Sequence, residues 1–191
     1  MKPYLCIISP VIPPEYSGAG KRALRHAKYM YDRGILFKLI TECEYDPKVN
    51  ELPENKVYTI IPGKLFKILR VLRFNAIIFY FLLKNRRDVK IIHSFNSTWN
   101  SIGSLIFSKM FKSKFLVEFT LLPEKNSKKK REITKVIERS IFNNSDHIVC
   151  ISEALLRWCK ENGIKNKDIS VIPNDTDIRL QEMINDGLIK K

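Results

Sequence analysis

Residues 4–34 read "YLCIISPVIPPEYSGAGKRALRHAKYMYDRG", and the order of residue types in this stretch decides the fold. Tyr4 to Ser9 is a short, nearly continuous apolar run, the pattern of a strand covered on both faces. Residues 20–33 form a helix-length segment, and Gly34 follows "MYDR" where a C-terminal glycine cap belongs. Between the two stand Pro10, Pro13 and Pro14, with Gly18 and Gly20 at the helix start. Glycine lets backbone amides approach a ligand closely, and a helix N-terminus offers unpaired N–H groups to an anion. The loop is therefore either a phosphate cradle or a tight strand-to-helix connection with no ligand.

The same alternation continues along the chain. Apolar runs recur at 36–41 "LFKLIT", 57–61 "VYTII", 89–95 "VKIIHSF", 114–120 "KFLVEFT", 147–152 "HIVCIS" and 169–173 "ISVIP". Helix-length segments at 64–86, 98–111, 127–143 and 152–162 separate most of them, with Ser152 placed to cap the last and Gly163 to end it. Strands alternating with helices predict right-handed βαβ units and an open parallel α/β sheet flanked by helices.

A chain of 191 residues, 45% apolar and 28% charged, suits one folded domain with a substantial core. Cys6, Cys43, Cys150 and Cys159 form no C-x-x-C pair, which predicts reduced, buried thiols and a cytoplasmic home. No secretory signal is legible after Met1-Lys2, because the apolar run is cut short by the prolines. The net charge of +14 favours anionic partners: phosphorylated ligands, an anionic lipid surface, or nucleic acid. Nucleic acid ranks last, since no recognition helix or stacking motif accompanies the basic residues. His26, His93 and His147 lack zinc-ligand spacing, so neither a metal nor a resident cofactor is expected.

Several stretches are candidates for chemistry. "GAGKRA" (18–23) has G-x-G-x-x-A spacing and Glu42 follows the next strand, the outline of a dinucleotide fingerprint. Eight residues separate Ser9 from Gly18, however, whereas that fingerprint's first glycine follows its strand directly. In 64–87, "KLFKILRVLRFNAIIFYFLLKNRR", Lys64, Lys67, Arg70 and Arg73 recur every third residue among leucines and phenylalanines. Its eight-residue run "AIIFYFLL" is too short to span a bilayer, which needs about 20 residues. The segment is either a helix lying on an anionic membrane or a core helix with snorkelling basic side chains. His93, Glu118, Thr120, Ser152 and Glu153 lie at C-terminal strand ends, where open parallel sheets bind ligands. For Ser152 and Glu153, helix capping is a sufficient explanation.

Read in order, "PPEYSGAGKRALRHAKYMYDRG", "VKIIHSF" and "SDHIVCISEALLRW…GI…KDISVIPND" resemble the N-terminal domain of family-4 glycosyltransferases, which have the GT-B fold. The resemblance covers about residues 4–177, and its most specific part is the "ISEAL…VIPN" block. It implies a Rossmann-like acceptor-side domain at 1–177, with 178–191 a truncated linker or short helix toward an absent C-terminal domain. It further implies a nucleotide-sugar donor whose diphosphate is approached by Gly18 and Gly20, and a glycan or lipid-linked acceptor. The resemblance places His93 at the family's strand-end histidine position and Asn174 at the hinge, and the acceptor or cleft candidates are Tyr16, Ser17, His93, Glu118, Thr120, Ser152 and Glu153. A basic segment bearing Lys64, Lys67, Arg70 and Arg73 would face the inner side of the membrane.

Three departures from the family pattern stand out. His93-Ser94-Phe95 replaces a common "HxH", and Thr120 stands where a histidine is usual, so the family's acceptor-side histidine carries over at neither place. "IPNDTD" replaces "IPNGVD". The family's donor-binding C-terminal domain is expected to be absent from this chain, which is then expected to be inactive without a C-terminal donor-binding half; that half could come from a partner subunit. The competing expectations are a non-catalytic, membrane-associated subunit of the same fold and a dinucleotide-binding domain.

Overall fold

The apolar runs form strands β1 (Tyr4–Ile8), β2 (Phe37–Thr41), β3 (Val57–Thr59), β4 (Val89–Phe95), β5 (Lys114–Phe119), β6 (His147–Cys150) and β7 (Ile169–Val171). Helices α1 (Gly18–Asp32), α2 (Pro47–Asn50), α3 (Lys67–Lys84), α4 (Ile102–Phe111), α5 (Lys128–Asn144) and α6 (Glu153–Glu161) connect them. The computed structural model describes residues 4–13, 17–61, 66–95, 99–120, 128–166 and 168–173. Its strands make one seven-stranded sheet in the order β3-β2-β1-β4-β5-β6-β7, parallel at every pairing. The order reverses between β1 and β4. That reversal opens a crevice beyond the carboxyl ends of the strands, the usual ligand edge of such sheets.

Because side chains alternate along a strand, each strand feeds two separate cores. Ile7, Leu39 and Phe95 point to the face covered by α1 and pack with Ala23, Leu24 and Ala27. Cys6, Ile8, Ile92, Phe115, Val117 and Phe119 point to the other face, against Phe74, Ile78 and Leu82 of α3, Phe107 of α4 and Phe142 of α5. On the α1 face, the same alternation brings His93 and Glu118 inward from two otherwise apolar strands. All four cysteines are buried and free.

Local chemistry places α1 against the sheet. Ser17 caps the helix by accepting a hydrogen bond from the Gly20 amide at 3.1 Å. Gly20 itself packs on the loop after β1, where a Cβ would sit 2.2 Å from the Val11 carbonyl oxygen. A Cβ on Gly18 would meet nothing within 4 Å. Gly34 ends the helix with φ of 65°, the left-handed conformation that glycine adopts without penalty. Ser152 caps α6 and Gly163 follows it with φ of 70°, as the sequence predicts.

Some boundaries differ from the sequence reading. The segment expected as a helix from 98 begins its α-helix only at Ile102, because Trp99–Ser101 forms a 3-10 turn. Asn75 of α3 sets this junction: its Oδ1 accepts from the Gly103 amide at 2.7 Å and its Nδ2 donates to the Trp99 carbonyl at 2.8 Å. The short helix α2, capped by Asp46, lies in a stretch that carried no helical expectation. Residues 178–191, expected as a linker or short helix, lie outside the described residues.

Two predictions follow from this packing. Gly20→Ala forces the Val11 carbonyl away and costs about 1–3 kcal/mol, whereas Gly18→Ala leaves the chemical denaturation midpoint nearly unchanged. Separately, Glu138 of α5 is 2% exposed, and its Oε2 has no hydrogen-bond partner among the described residues. Burial pushes its carboxyl from 4.5 up to about 7. The folded state therefore holds a proton that the unfolded chain releases, and stability falls as pH rises from 4.5 to about 7. Glu138→Gln should flatten that slope and raise the melting temperature at pH 8.

Candidate functional site

The polar residues that β4 and β5 send to the α1 face meet a cation from the helix. Glu118 is fully buried, and its Oε1 forms an ion pair with Arg22 Nε. His93 Nε2 lies 3.4 Å from Glu118 Oε2. A buried carboxylate is tolerated only where a charge or hydrogen bonds compensate its lost hydration, and Arg22 supplies that compensation. The same guanidinium reaches the chain leaving β7, with Nη1 donating to the Pro173 carbonyl at 3.0 Å and Nη2 to the Ile172 carbonyl at 3.1 Å. One side chain thus ties α1, β5 and the exit from β7 together.

His26, one turn along α1, completes the cluster. Its ring meets the His93 ring edge-on at 5.6 Å and the Phe95 ring at 5.3 Å. Burial, followed by the neighbouring His93, holds His26 below the usual imidazole range. Above the cluster, a groove of about 700 Å³ runs between α1 and the Ile172–Pro173 segment. Gly18, Lys21, Arg25, His26 and Tyr29 line its helix side.

The residues singled out from sequence fall into distinct places. His93 and Glu118 are brought together, while Gly18 opens onto the groove above them. Ser17 and Ser152 have their hydroxyls engaged as helix caps. Thr120 directly follows β5, with a buried Oγ1 that has no hydrogen-bond partner among the described residues. Glu153 is exposed on the first turn of α6, at the same sheet edge. Tyr16, Lys64 and Asn174 lie outside the described residues, as does the side chain of Lys67.

Arg70 and Glu42 acquire a relationship that spacing did not suggest: Arg70 Nε donates to Glu42 Oε2 at 2.9 Å. Glu42 is 5% exposed, so the carboxylate of the fingerprint outline is spent on holding α3 to the end of β2. Arg73 is half-buried on α3.

Arg22 and Arg25 lie within the quoted glycine-rich stretch but are not among the candidates that the sequence offers. The available signal was helical spacing: Arg22 and His26 fall beside Ala23 and Ala27, on the face that must turn toward the sheet.

An open seven-stranded parallel sheet with helices on both faces, and a groove between α1 and the segment leaving β7, defines a Rossmann-like α/β domain. The family model for Glycosyltransferase Family 4 matches residues 16–179, and the chain belongs to that family. Among solved structures, a glycosyltransferase from Rickettsia africae ESF-5 is similar at 20% identity and a TM-score of 0.62, over 100% of this chain and 50% of that one. Sucrose-phosphate synthase from Thermosynechococcus elongatus is similar at 14% identity and a TM-score of 0.73, over 99% of this chain and 53% of that one. A putative UDP-N-acetylglucosamine 2-epimerase from Listeria monocytogenes reaches a TM-score of 0.64 at 12% identity, over 97% and 52%. No match was found among curated proteins. The fold is that of a GT-B Rossmann-like domain, and the chain spans about half the length of these structural relatives.

The Arg22 contacts can be tested in solution. Arg22→Lys keeps the charge but loses the planar fork that reaches Glu118 and two carbonyls at once. The Ile172 amide, bonded to the Cys150 carbonyl at 2.8 Å, should then exchange with solvent at least about tenfold faster. Amides at the centre of β1 and β4 should keep their protection.

Proposed function

We propose that this domain is the acceptor-binding half of a glycosyltransferase that moves a sugar from a nucleotide-sugar donor to a glycan or lipid-linked acceptor. The observation that carries this reading is the Arg22–Glu118–His93 cluster, set beneath a groove at the ligand edge of a family-4 domain. Transfer from a nucleotide sugar builds negative charge on the departing diphosphate while the sugar becomes cationic. Donors aimed at the phosphates stabilise that transition state.

The start of α1 is the diphosphate-facing element in this reading. Ser17 occupies the Gly20 amide, and the amides of Gly18 and Ala19 precede it in a helix turn that has no intrahelical acceptors for them. The open space at Gly18 allows a ligand close approach, while Gly20 keeps the helix start seated on the loop. Glu118 does not touch an acceptor in this arrangement, since it is fully buried; it orients Arg22 and His93. Residues 1–177 form the acceptor-side domain and Asn174 its hinge, and a donor-binding half completes the cleft. The reaction requires groups converging from both sides, so the half alone is a poor catalyst.

The amphipathic helix supports a membrane-peripheral placement at the inner face. No helix among the described residues is long and apolar enough to cross a membrane. The N-cap and first half of α3 nevertheless leave Phe66, Ile68 and Leu72 exposed at 85%, 75% and 61%, with basic residues interleaved in the sequence. Apolar side chains of this kind insert at a lipid interface, and the cations favour anionic headgroups.

Two measurements test the proposal. Mixed with a panel of sugar nucleotides and lipid-linked acceptors, the chain should transfer sugar only when co-expressed with a GT-B C-terminal half; tight NAD binding with no sugar-nucleotide binding would contradict it. Phe66→Ser/Ile68→Ser/Leu72→Ser should lower binding to phosphatidylglycerol vesicles by more than about tenfold. Undiminished vesicle binding would remove α3 as the membrane surface. Vesicle binding without transfer beside the second half would favour a non-catalytic subunit.

A further inference from the structure

A second polar cluster occupies the α1 face of the sheet, toward its β7 end. The register pairs His93 with Leu116, Leu116 with His147 and Val149 with Ser170, so His147, Asp168 and Ser170 share the face that carries Glu118. His147 Nδ1 lies 2.7 Å from Asp168 Oδ1, and its Nε2 lies 2.8 Å from Ser170 Oγ. With the Nδ1 proton donated to the carboxylate, Nε2 is left to accept from the Ser170 hydroxyl. Asp168 is itself held in place: its amide donates to Asn166 Oδ1 at 2.9 Å and its carbonyl accepts from the Ile148 amide at 3.0 Å. A hydroxyl, an imidazole and a carboxylate linked in this order form the arrangement that activates serine as a nucleophile.

Ser170 also lies where a substrate can approach. It is half-buried, and Ile172, two residues further along the same face, lines the groove beside α1 and is 48% exposed. Among the described residues β7 is the edge strand, and it bonds β6 through the Asp168 carbonyl and the Ile172 amide. Alternation along the parallel ladder therefore turns the Val171 amide away from β6, toward the open edge. The N–H of the residue after a nucleophile is a recurrent donor to the oxyanion of an attacked carbonyl.

We propose that Ser170, His147 and Asp168 form a nucleophilic relay that accepts the acyl group of a short-chain carboxylic ester. Ser170 Oγ bonds to the ester carbonyl carbon as its proton passes to His147 Nε2, and Asp168 stabilises the imidazolium. The ester C–O bond then breaks, and the departing alcohol takes the proton from His147, leaving acyl-Ser170. Water attacks that acyl group with His147 again as base, which releases the carboxylic acid and restores the hydroxyl. The relay shares no residue with the Arg22–Glu118–His93 cluster and is independent of the transferase reading.

The test treats the full chain with a fluorophosphonate probe, which bonds to activated serines with loss of fluoride, and locates the label by peptide mass spectrometry. Ser170 should carry the label, and p-nitrophenyl acetate should be hydrolysed. Ser170→Ala should abolish both. His147→Ala and Asp168→Asn should each slow labelling by at least about tenfold, and added imidazole should restore part of the loss in His147→Ala. Matching circular dichroism spectra exclude misfolding of the variants. No label at Ser170, or labelling of His147→Ala as fast as the unaltered chain, overturns the relay and leaves the cluster as a clasp that holds β7 to β6. Ester hydrolysis that survives Ser170→Ala overturns it equally.

Discussion

A carboxylate with no exposure to water sits on the α1 face of the sheet, and the arrangement of the ligand edge follows from what that carboxylate needs. Glu118 needs a cation, and α1 delivers Arg22 to it. Having paired, Arg22 still has two N–H-bearing arms, and they bond the Ile172 and Pro173 carbonyls. The helix that follows the first strand is thereby tied to the chain that leaves the last. Replacing Arg22 by an apolar residue would leave the Glu118 charge buried and uncompensated, a cost of about 3–5 kcal/mol in comparable sites. The pair is therefore best understood as a positioning device for the groove above it.

The rest of the edge is built to let Arg22 arrive. Gly20 brings the start of α1 against Val11 and Ile12, closer than any side chain would permit. Ser17 sets the helix origin, and spacing along the helix then carries Arg22 and His26 over β4 and β5. On the opposite face, α3 is held by a different pairing, Arg70 with Glu42, and by a single buried stripe of Phe74, Ile78 and Leu82. That stripe leaves Ile68, Leu69 and Leu72, at the start of α3, facing solvent.

Much of the fold was legible because its signals are local. Near-continuous apolar runs marked the strands, since a sheet covered on both faces admits few polar residues. Ser152, Gly34 and Gly163 marked helix ends through capping chemistry that depends only on neighbouring residues. What escaped was long-range. The Trp99–Ser101 turn depends on Asn75, 24 residues away from Trp99, and the Glu42–Arg70 pair joins residues 28 apart. Likewise, His93 and Glu118 stood out as polar residues at strand ends, but their partner Arg22 came from a helix whose glycines were the conspicuous feature. The glycines themselves differ: Gly20 serves packing, and Gly18 alone opens to the groove.

The account places one ion pair at the origin of the site's geometry, and a double-mutant cycle on Arg22→Met and Glu118→Leu measures it most directly. Denaturant unfolding of the two single variants and the double variant gives the coupling energy. If the pair organises this edge, Arg22→Met alone is severely destabilised and adding Glu118→Leu restores much of the loss, because no unpaired charge remains buried. Additive effects of the two substitutions would contradict the account, showing that Arg22 and Glu118 are neighbours without being partners.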